Sequence, residues 1–148
     1  MTTDDAERDA NDLFARTSEV VSASNWTTEL TWGPCESPRE GHVQLVLVAQ
    51  SLTDIPAPTS TLAQAVVDSW QQVGRQPVID SDESIGKSGG LVISDPANLT
   101  GTNADGSLTQ LSLSDDAVFL QVVSPCIAGD LDQVRRATGP RLIPPSTP

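Results

Sequence analysis

A serine motif is the first feature of the sequence that could carry covalent chemistry. Residues 86–90, GKSGG, fit the pattern G-x-S-x-G, which in α/β-hydrolases places a nucleophilic serine on a sharp turn between a strand and a helix. In that fold the histidine base follows the serine in the chain, whereas the single histidine, His42, precedes Ser88. A strand-like run, LVIS, follows the motif where a helix is required. We therefore predict no catalytic residue, and a hydrolase using Ser88 stays as an alternative hypothesis.

Phosphate and metal binding are the next chemistries that the residues suggest. A P-loop needs a glycine five residues before Gly86, and Ser81 stands there. Asp80, Asp82 and Glu83 offer carboxylates that calcium could use, but the segment lacks the ligand spacing and the distal glutamate of an EF-hand loop. The prediction for these acids is a solvated turn, and we expect no cofactor and no bound metal ion.

The two cysteines, Cys35 and Cys126, are each preceded by a proline and each follow a predicted strand. An even number of cysteines in a small exported domain favours a disulfide. The bond would close a loop of about 92 residues, to which the chain-entropy model assigns roughly 4–5 kcal/mol. The alternative is two unrelated buried thiols in a cytosolic protein. Zinc is disfavoured because no second cysteine pair or nearby histidine completes a ligand shell.

Charge restricts the class of partner. The 148 residues carry 20 acids and 8 bases, for a net charge of -12. A nucleic-acid partner is not expected, because binding to phosphates needs a basic surface. No apolar run approaches the roughly 20 residues of a membrane helix, so no membrane span is predicted. The acidity either maintains solubility or presents an acidic face to a basic partner.

The periodicity of apolar residues predicts an α+β order of helix, two strands, helix and four strands. The expected elements are a helix over 2–22, strands over 25–32 and 42–50, a helix from 59–61 to Gly74, short strands over 77–80 and 91–94, and a hairpin of strands 107–113 and 117–124. Strands 42–50 and 117–124 are apolar on both faces except for Gln44 and Gln121, which predicts a central position in the sheet.

Local signals predict how the helices begin, end and pack. Thr2, Thr3 or Asp4 can cap the first helix, and Thr61 with Gln64 matches the spacing of a capping box for the second. Gly74 stands where a C-terminal cap belongs. The apolar stripe expected to face the core from the second helix comprises Leu62, Val66, Trp70 and Val73.

The predicted fold class is therefore α+β, with an antiparallel sheet of about four to six strands and two helices packed on one face. We divide the chain into an N-terminal helix packed on the domain (1–24), an α+β core (25–134) and a proline-rich C-terminal tail (135–148). The hairpin that closes on Cys126 is expected to organise the fold.

This arrangement resembles the mature domain of small actinobacterial cell-envelope lipoproteins and secreted proteins, most of them uncharacterised. The resemblance covers about residues 26–126: a tryptophan-bearing strand ending at Cys35, a helix with Trp70, and a hairpin closing on Ser124-Pro125-Cys126. It implies export from the cytoplasm and a disulfide, but no activity and no catalytic residue. It also implies an export signal, and possible lipid anchoring, in a precursor outside these 148 residues.

Three function hypotheses follow. The first is a non-enzymatic extracytoplasmic protein of the cell envelope that binds a protein or a small ligand. The second is an acidic cytosolic regulatory or inhibitory module that binds a basic partner. The third is the serine hydrolase using Ser88. The specific ligand, the lipidation of the precursor, the strand order and the oligomeric state are not determined by the sequence.

Overall fold

A computed structural model describes residues 1–35, 41–55, 57–85 and 89–138 of the chain. The helices are α1 (Thr3–Val21), α2 (Thr59–Gln71) and α3 (Leu131–Thr138). The strands are β1 (Thr27–Pro34), β2 (His42–Ser51), β3 (Val78–Asp82), β4 (Gly90–Asp95), β5 (Leu108–Leu113), β6 (Val118–Val123) and β7 (Ile127–Ala128). The predicted order of helices and strands is confirmed, and the structure adds β7 and α3.

All paired strands run antiparallel in one sheet of order β1-β2-β6-β5-β4-β3, and β7 pairs with the start of β2. The two longest helices pack against this sheet, which confirms the predicted fold class. The strands β2 and β6 are neighbours inside the sheet, as their apolar residues on both faces predict. The β5–β6 hairpin pairs with β2 on one side and β4 on the other, and therefore joins the two halves of the sheet.

Helix α1 begins with a reciprocal capping box. The Thr2 hydroxyl accepts a hydrogen bond from the Asp5 backbone N–H, and the Asp5 carboxylate accepts one from the Thr2 backbone N–H. The Thr2 backbone bond is the main reason that the pKa of Asp5 lies below its ordinary value. The face of α1 that packs on the domain consists of Ala6, Ala10, Leu13, Phe14, Thr17, Ser18 and Val21.

Helix α2 starts within the predicted range but differs from the prediction in its N-terminal cap and in its last residues. It begins at Thr59 after Pro58, without a side-chain cap, so the predicted Thr61–Gln64 capping box is wrong. Gln64 lies inside the helix instead and donates a hydrogen bond to Asp68 at 3.1 Å. The helix ends two residues before Val73, which is 38% exposed and does not join the core stripe.

The predicted cap at Gly74 is confirmed. Gly74 has a positive φ of 85°, and the next backbone N–H, that of Arg75, donates to the carbonyl of Trp70 at 3.1 Å. This bond closes the last turn of α2 as in a Schellman motif, which needs a residue that tolerates left-handed backbone.

The core lies between the helices and one face of the sheet, and two tryptophans fill much of it. Trp26 packs edge-on against Phe14 of α1, with ring centroids 5.3 Å apart. Trp70 of α2 is fully buried, and its indole N–H donates to the Thr17 hydroxyl at 2.9 Å. That hydroxyl donates in turn to the carbonyl of Leu13 at 2.7 Å. The chain of bonds satisfies the buried polar atoms between α1 and α2.

Helix α3 was not predicted, and it includes residues 135–138, which were expected to belong to the proline-rich tail. Leu131 and Val134 pack against the core beside β1. The Arg135 guanidinium donates two hydrogen bonds, of 3.2 and 3.1 Å, to the Trp32 carbonyl of the edge strand β1. Residues 139–148 lie outside the described part of the chain. Within that part, no helix has the length and apolar character needed to cross a membrane.

Candidate functional site

The predicted disulfide between Cys35 and Cys126 is confirmed. It joins the residue after β1 to the segment between β6 and β7, and the two Cα atoms lie 6.1 Å apart. The linked residues are 91 positions apart, so the bond ties the two ends of most of the domain together. Disulfides persist in oxidising compartments, and this bond is consistent with an extracytoplasmic protein.

The structure places the residues of the serine motif incompletely. Ser88, with Gly86 and Lys87, lies outside the described residues. The strand β4 starts at Gly90, the last residue of the motif, as the LVIS run predicts. His42 opens β2, where it pairs with Ala128 of β7 and is partly exposed.

The acidic segment is placed differently from its prediction. Asp80 and Asp82 belong to the edge strand β3, and only Glu83 lies in the turn that follows. The hydroxyl of Ser84 and its backbone N–H donate to the Asp82 carboxylate at 2.6 and 2.9 Å, and these bonds hold the pKa of Asp82 below its ordinary value. Over the described ranges, no three or more histidine, cysteine or acidic side chains gather in a way that could hold a metal ion.

The sheet has a second face, opposite the helices, which we call the open face. On it, three rows of side chains cross the inner strands β2, β6 and β5 and form what we call the central grid. Its rows are Val46–Val123–Leu108, Val48–Gln121–Gln110 and Gln50–Phe119–Ser112. Phe119 is 40% exposed and the other grid residues are partly exposed.

The central grid carries no charged residue, although the chain as a whole has a net charge of -12. Apolar side chains and uncharged glutamines occupy it instead. An antiparallel sheet that meets water on one face normally alternates apolar and polar residues, so Val46, Val48 and Val123 are the unexpected members here. Depletion of charge over an apolar centre is the composition that distinguishes the cores of protein interfaces.

Carboxylates lie outside the central grid at both edge strands and at the β5–β6 turn. We call them the acidic perimeter. Glu29 of β1 pairs with Val48 at one edge. Asp80 and Asp82 lie on β3 at the other edge, on the open-face side according to the pairing of Asp80 with Val92. Asp115 and Asp116 are exposed in the turn of the β5–β6 hairpin. The open face therefore has an uncharged centre inside a negative border.

Two glutamines connect the open face to neighbouring segments of the chain. Gln44, next to the grid on β2, donates to the carbonyls of Gly106 and Ser124 at 2.7 and 3.0 Å. Gln110 donates to the Asn98 side chain at 2.8 Å. These bonds hold the loop between β4 and β5 against one side of the open face and help to preorganise it.

A groove on the opposite side of the molecule runs between α1 and α2, and we call it the helix groove. It has a volume of about 760 Å³ and is lined by Asp9, Asp12, Arg16, Glu19, Asp68 and Val73, among others. Arg75 forms an ion pair with Asp9 at 2.6 Å, and Arg16 donates to Gln72 at 3.1 Å. Its lining combines apolar residues with four acidic side chains and one arginine, and it is open to solvent.

The sequence contained part of the signal for the open face. The alternation in β6 separates Phe119 and Val123 from the core-facing Val118, Leu120 and Val122. The charge-free grid was not predicted, because it depends on the register between strands whose paired residues are up to 77 positions apart, as for Val46 and Val123. The signal that could have found it is the pair of strands without a single charged residue, 42–50 and 117–124.

Comparisons with known proteins identify a shared fold. No protein-family model matches the chain, and no curated protein matches it. Among solved structures, the chain is similar to a DUF4853 family protein from Actinomyces odontolyticus, with a TM-score of 0.53 and 14% sequence identity. The match covers 85% of this chain and 69% of that one. At this identity the similarity establishes the fold alone.

Proposed function

We propose that this chain is a non-enzymatic extracytoplasmic protein of the cell envelope that binds a protein partner through its open face. The observation that carries the proposal is the charge-free central grid on a chain with a net charge of -12. Covering the grid removes apolar surface from water without burying an unpaired charge. No catalytic role is proposed for Ser88.

The shape of the open face favours a protein over a small molecule. Small-molecule sites are concave and bury most of the ligand surface, whereas the open face is the broad side of a sheet. Val92 and Ser94 of β4 are buried on this face, so its exposed part runs from β1 to β5. Three spacings of about 4.8 Å make that part about 14 Å wide, and no concave walls enclose it.

The proposed compartment is supported by the disulfide and by the resemblance to exported envelope proteins. Export with or without a lipid anchor is compatible with it. The check is to alkylate intact cells of the source organism with a maleimide polymer before and after reduction. We expect two labelled thiols only after reduction, with the protein in the envelope or secreted fraction. Free thiols in a cytoplasmic protein would contradict the assignment and favour the cytosolic regulatory module.

The binding role is tested by site-specific photo-crosslinking in those cells. Benzoylphenylalanine at Gln121, the middle of the central grid, is expected to form an adduct with one protein. The control position is Gln71, which is exposed on α2 and far from the open face. Adducts at neither position, or the same adducts at both, would refute binding through the open face.

A second candidate function is binding of a small cationic ligand in the helix groove. Its volume of about 760 Å³ is within the range of ligand sites, and carboxylates of Asp12, Glu19 and Asp68 line it. Such a ligand would shift the backbone resonances of α1 and α2 and leave those of β6 unchanged, which distinguishes this candidate from the first by nuclear magnetic resonance.

A further inference from the structure

The partner's chemistry can be inferred from the border of the open face, on the premise of the proposed function. We infer that the open face binds a basic protein surface, in which an uncharged apolar centre is flanked by lysine or arginine side chains. The apolar centre would cover the central grid, and the flanking cations would meet the acidic perimeter.

The positions of the carboxylates carry this inference. Glu29 lies one strand beyond the grid at the β1 edge, and Asp80 lies two strands beyond it at the β3 edge. Both side chains belong to exposed residues, about 24 Å apart across the sheet by strand spacing. A partner that covers the grid meets Glu29 directly at one margin and faces Asp80 across the buried residues Val92 and Ser94 of β4 at the other. Cations at the partner's own margins complete the electrostatic match.

The uncharged centre of the open face explains why the partner's cations are expected only at its margins, next to the acidic perimeter. A lysine or arginine placed over Val46, Val48 or Val123 would be buried without a carboxylate beside it, which is costly. The same cations at the rim stay partly solvated and gain from the perimeter. Charges at a rim mainly steer association and select the partner, while the apolar centre holds the complex together.

The acidic perimeter also makes a second copy of this chain an unfavourable partner for the open face. Two copies that stack their open faces with aligned strands place edge strands over edge strands about a twofold axis. The two edge strands, β1 and β3, carry Glu29 and Asp80, so carboxylates face carboxylates at the margins. A net charge of -12 on each copy adds to this repulsion.

The test uses the protein crosslinked from position 121, purified and titrated against the intact oxidised chain. The double substitution Glu29→Lys/Asp80→Lys reverses both margins of the open face. Its matched control, Asn11→Lys/Ser60→Lys/Thr61→Lys/Gln71→Lys, changes the net charge by the same four units on exposed residues of α1 and α2 that do not line the helix groove. Circular dichroism and urea unfolding verify that both variants fold like the wild type.

We expect reversal of the margins to weaken binding at least about tenfold and to reduce its salt dependence, because attraction becomes repulsion at both rims. The helix-layer control is expected to change the affinity by less than about threefold, since its charges lie on the other side of the sheet, beyond a Debye length of about 8–10 Å from the interface. Equal losses in the two variants would overturn the inference, and so would a larger loss in the control.

Two further outcomes separate the inference from the proposed function. Gln121→Glu adds one charge at the centre of the grid with little change in shape. If it abolishes binding and reversal of the margins has no effect, the proposed function stands and the basic partner is refuted. If sedimentation shows a wild-type dimer that Gln121→Glu dissociates, the occupant is a second copy and the inference is wrong. If no partner is crosslinked from position 121, both fail.

Discussion

At the scale of single residues, polar groups inside the core are satisfied by specific partners. No buried side-chain nitrogen or oxygen in the described part of the chain lacks a hydrogen bond. The bond from Trp70 to Thr17 illustrates the consequence, because it joins α2 to α1 at a fully buried point. A tryptophan contributes a large apolar surface, but its N–H is an obligatory donor and must find an acceptor when buried.

Thr17→Val tests this bond. The substitution keeps the branched shape and leaves the indole N–H of Trp70 unpaired, so we expect a loss of about 1–3 kcal/mol in the free energy of unfolding. Urea unfolding followed by circular dichroism measures it. In a Trp70→Phe background the same change removes no indole bond, and its cost should be smaller. An equal cost in both backgrounds would refute a specific role for the bond.

At the scale of elements, the two edges of the sheet are treated differently. Helix α3 lies along β1, and Arg135 binds the outward carbonyl of Trp32. The opposite edge strand, β3, is short and carries Asp80 and Asp82. A covering helix and charged side chains are both ways in which proteins prevent edge-to-edge aggregation. The short α3 is therefore part of how this sheet stays protected.

Arg135→Ala is expected to loosen α3 from β1. It removes both hydrogen bonds to Trp32 and should cost about 1 kcal/mol, since the arginine is largely solvated. Hydrogen–deuterium exchange of α3 should become faster. The matched control is Arg136→Ala, because Arg136 donates to the Asp132 carbonyl within the same helix. Equal acceleration of exchange in the two variants would mean that contact with β1 does not hold the helix.

At the scale of the whole molecule, charge and covalent connection are distributed unevenly. The helix layer carries the acidic helix groove, while the inner strands carry none of the charge on their open face. The disulfide joins the end of β1 to the chain after β6, which are separated by 91 positions. The open face is thus available for a partner. The disulfide holds the end of β1 and the segment after β6 together whether or not a partner is bound.

The double substitution Cys35→Ser/Cys126→Ser removes this connection. The chain-entropy model predicts a loss of about 4–5 kcal/mol in the free energy of unfolding for a loop of this length, and measured losses are often smaller. Urea unfolding without a reducing agent measures the loss. Adding dithiothreitol should destabilise the wild type and leave the double variant unchanged. A loss below about 1 kcal/mol would show that the reduced fold is nearly self-sufficient.

Local signals in the sequence predicted much of the fold, and their failures have physical causes. The caps at Thr2 and Gly74 could be predicted because each depends only on residues next to it in the sequence. The capping box at Thr61 is wrong because the helix starts at Thr59, so Thr61 already lies inside it. Helix α3 was not predicted because it is only eight residues long and, among the side chains that the structure describes, just two apolar residues, Leu131 and Val134, mark the face that packs on the core.

The sequence by itself determined the fold class, the core-facing stripes and the two strands that occupy the centre of the sheet, because these follow from the spacing of apolar residues along the chain. It also favoured the disulfide from cysteine number and context. The tertiary structure decided which residues share a surface. The register of the sheet assembles Val48, Gln121 and Gln110 into one row that Glu29 extends at the β1 edge. It places Asp80 at the β3 edge, in line with the neighbouring row of Gln50, Phe119 and Ser112. These strand pairings join segments that are far apart in the sequence, so a local sequence pattern does not predict them.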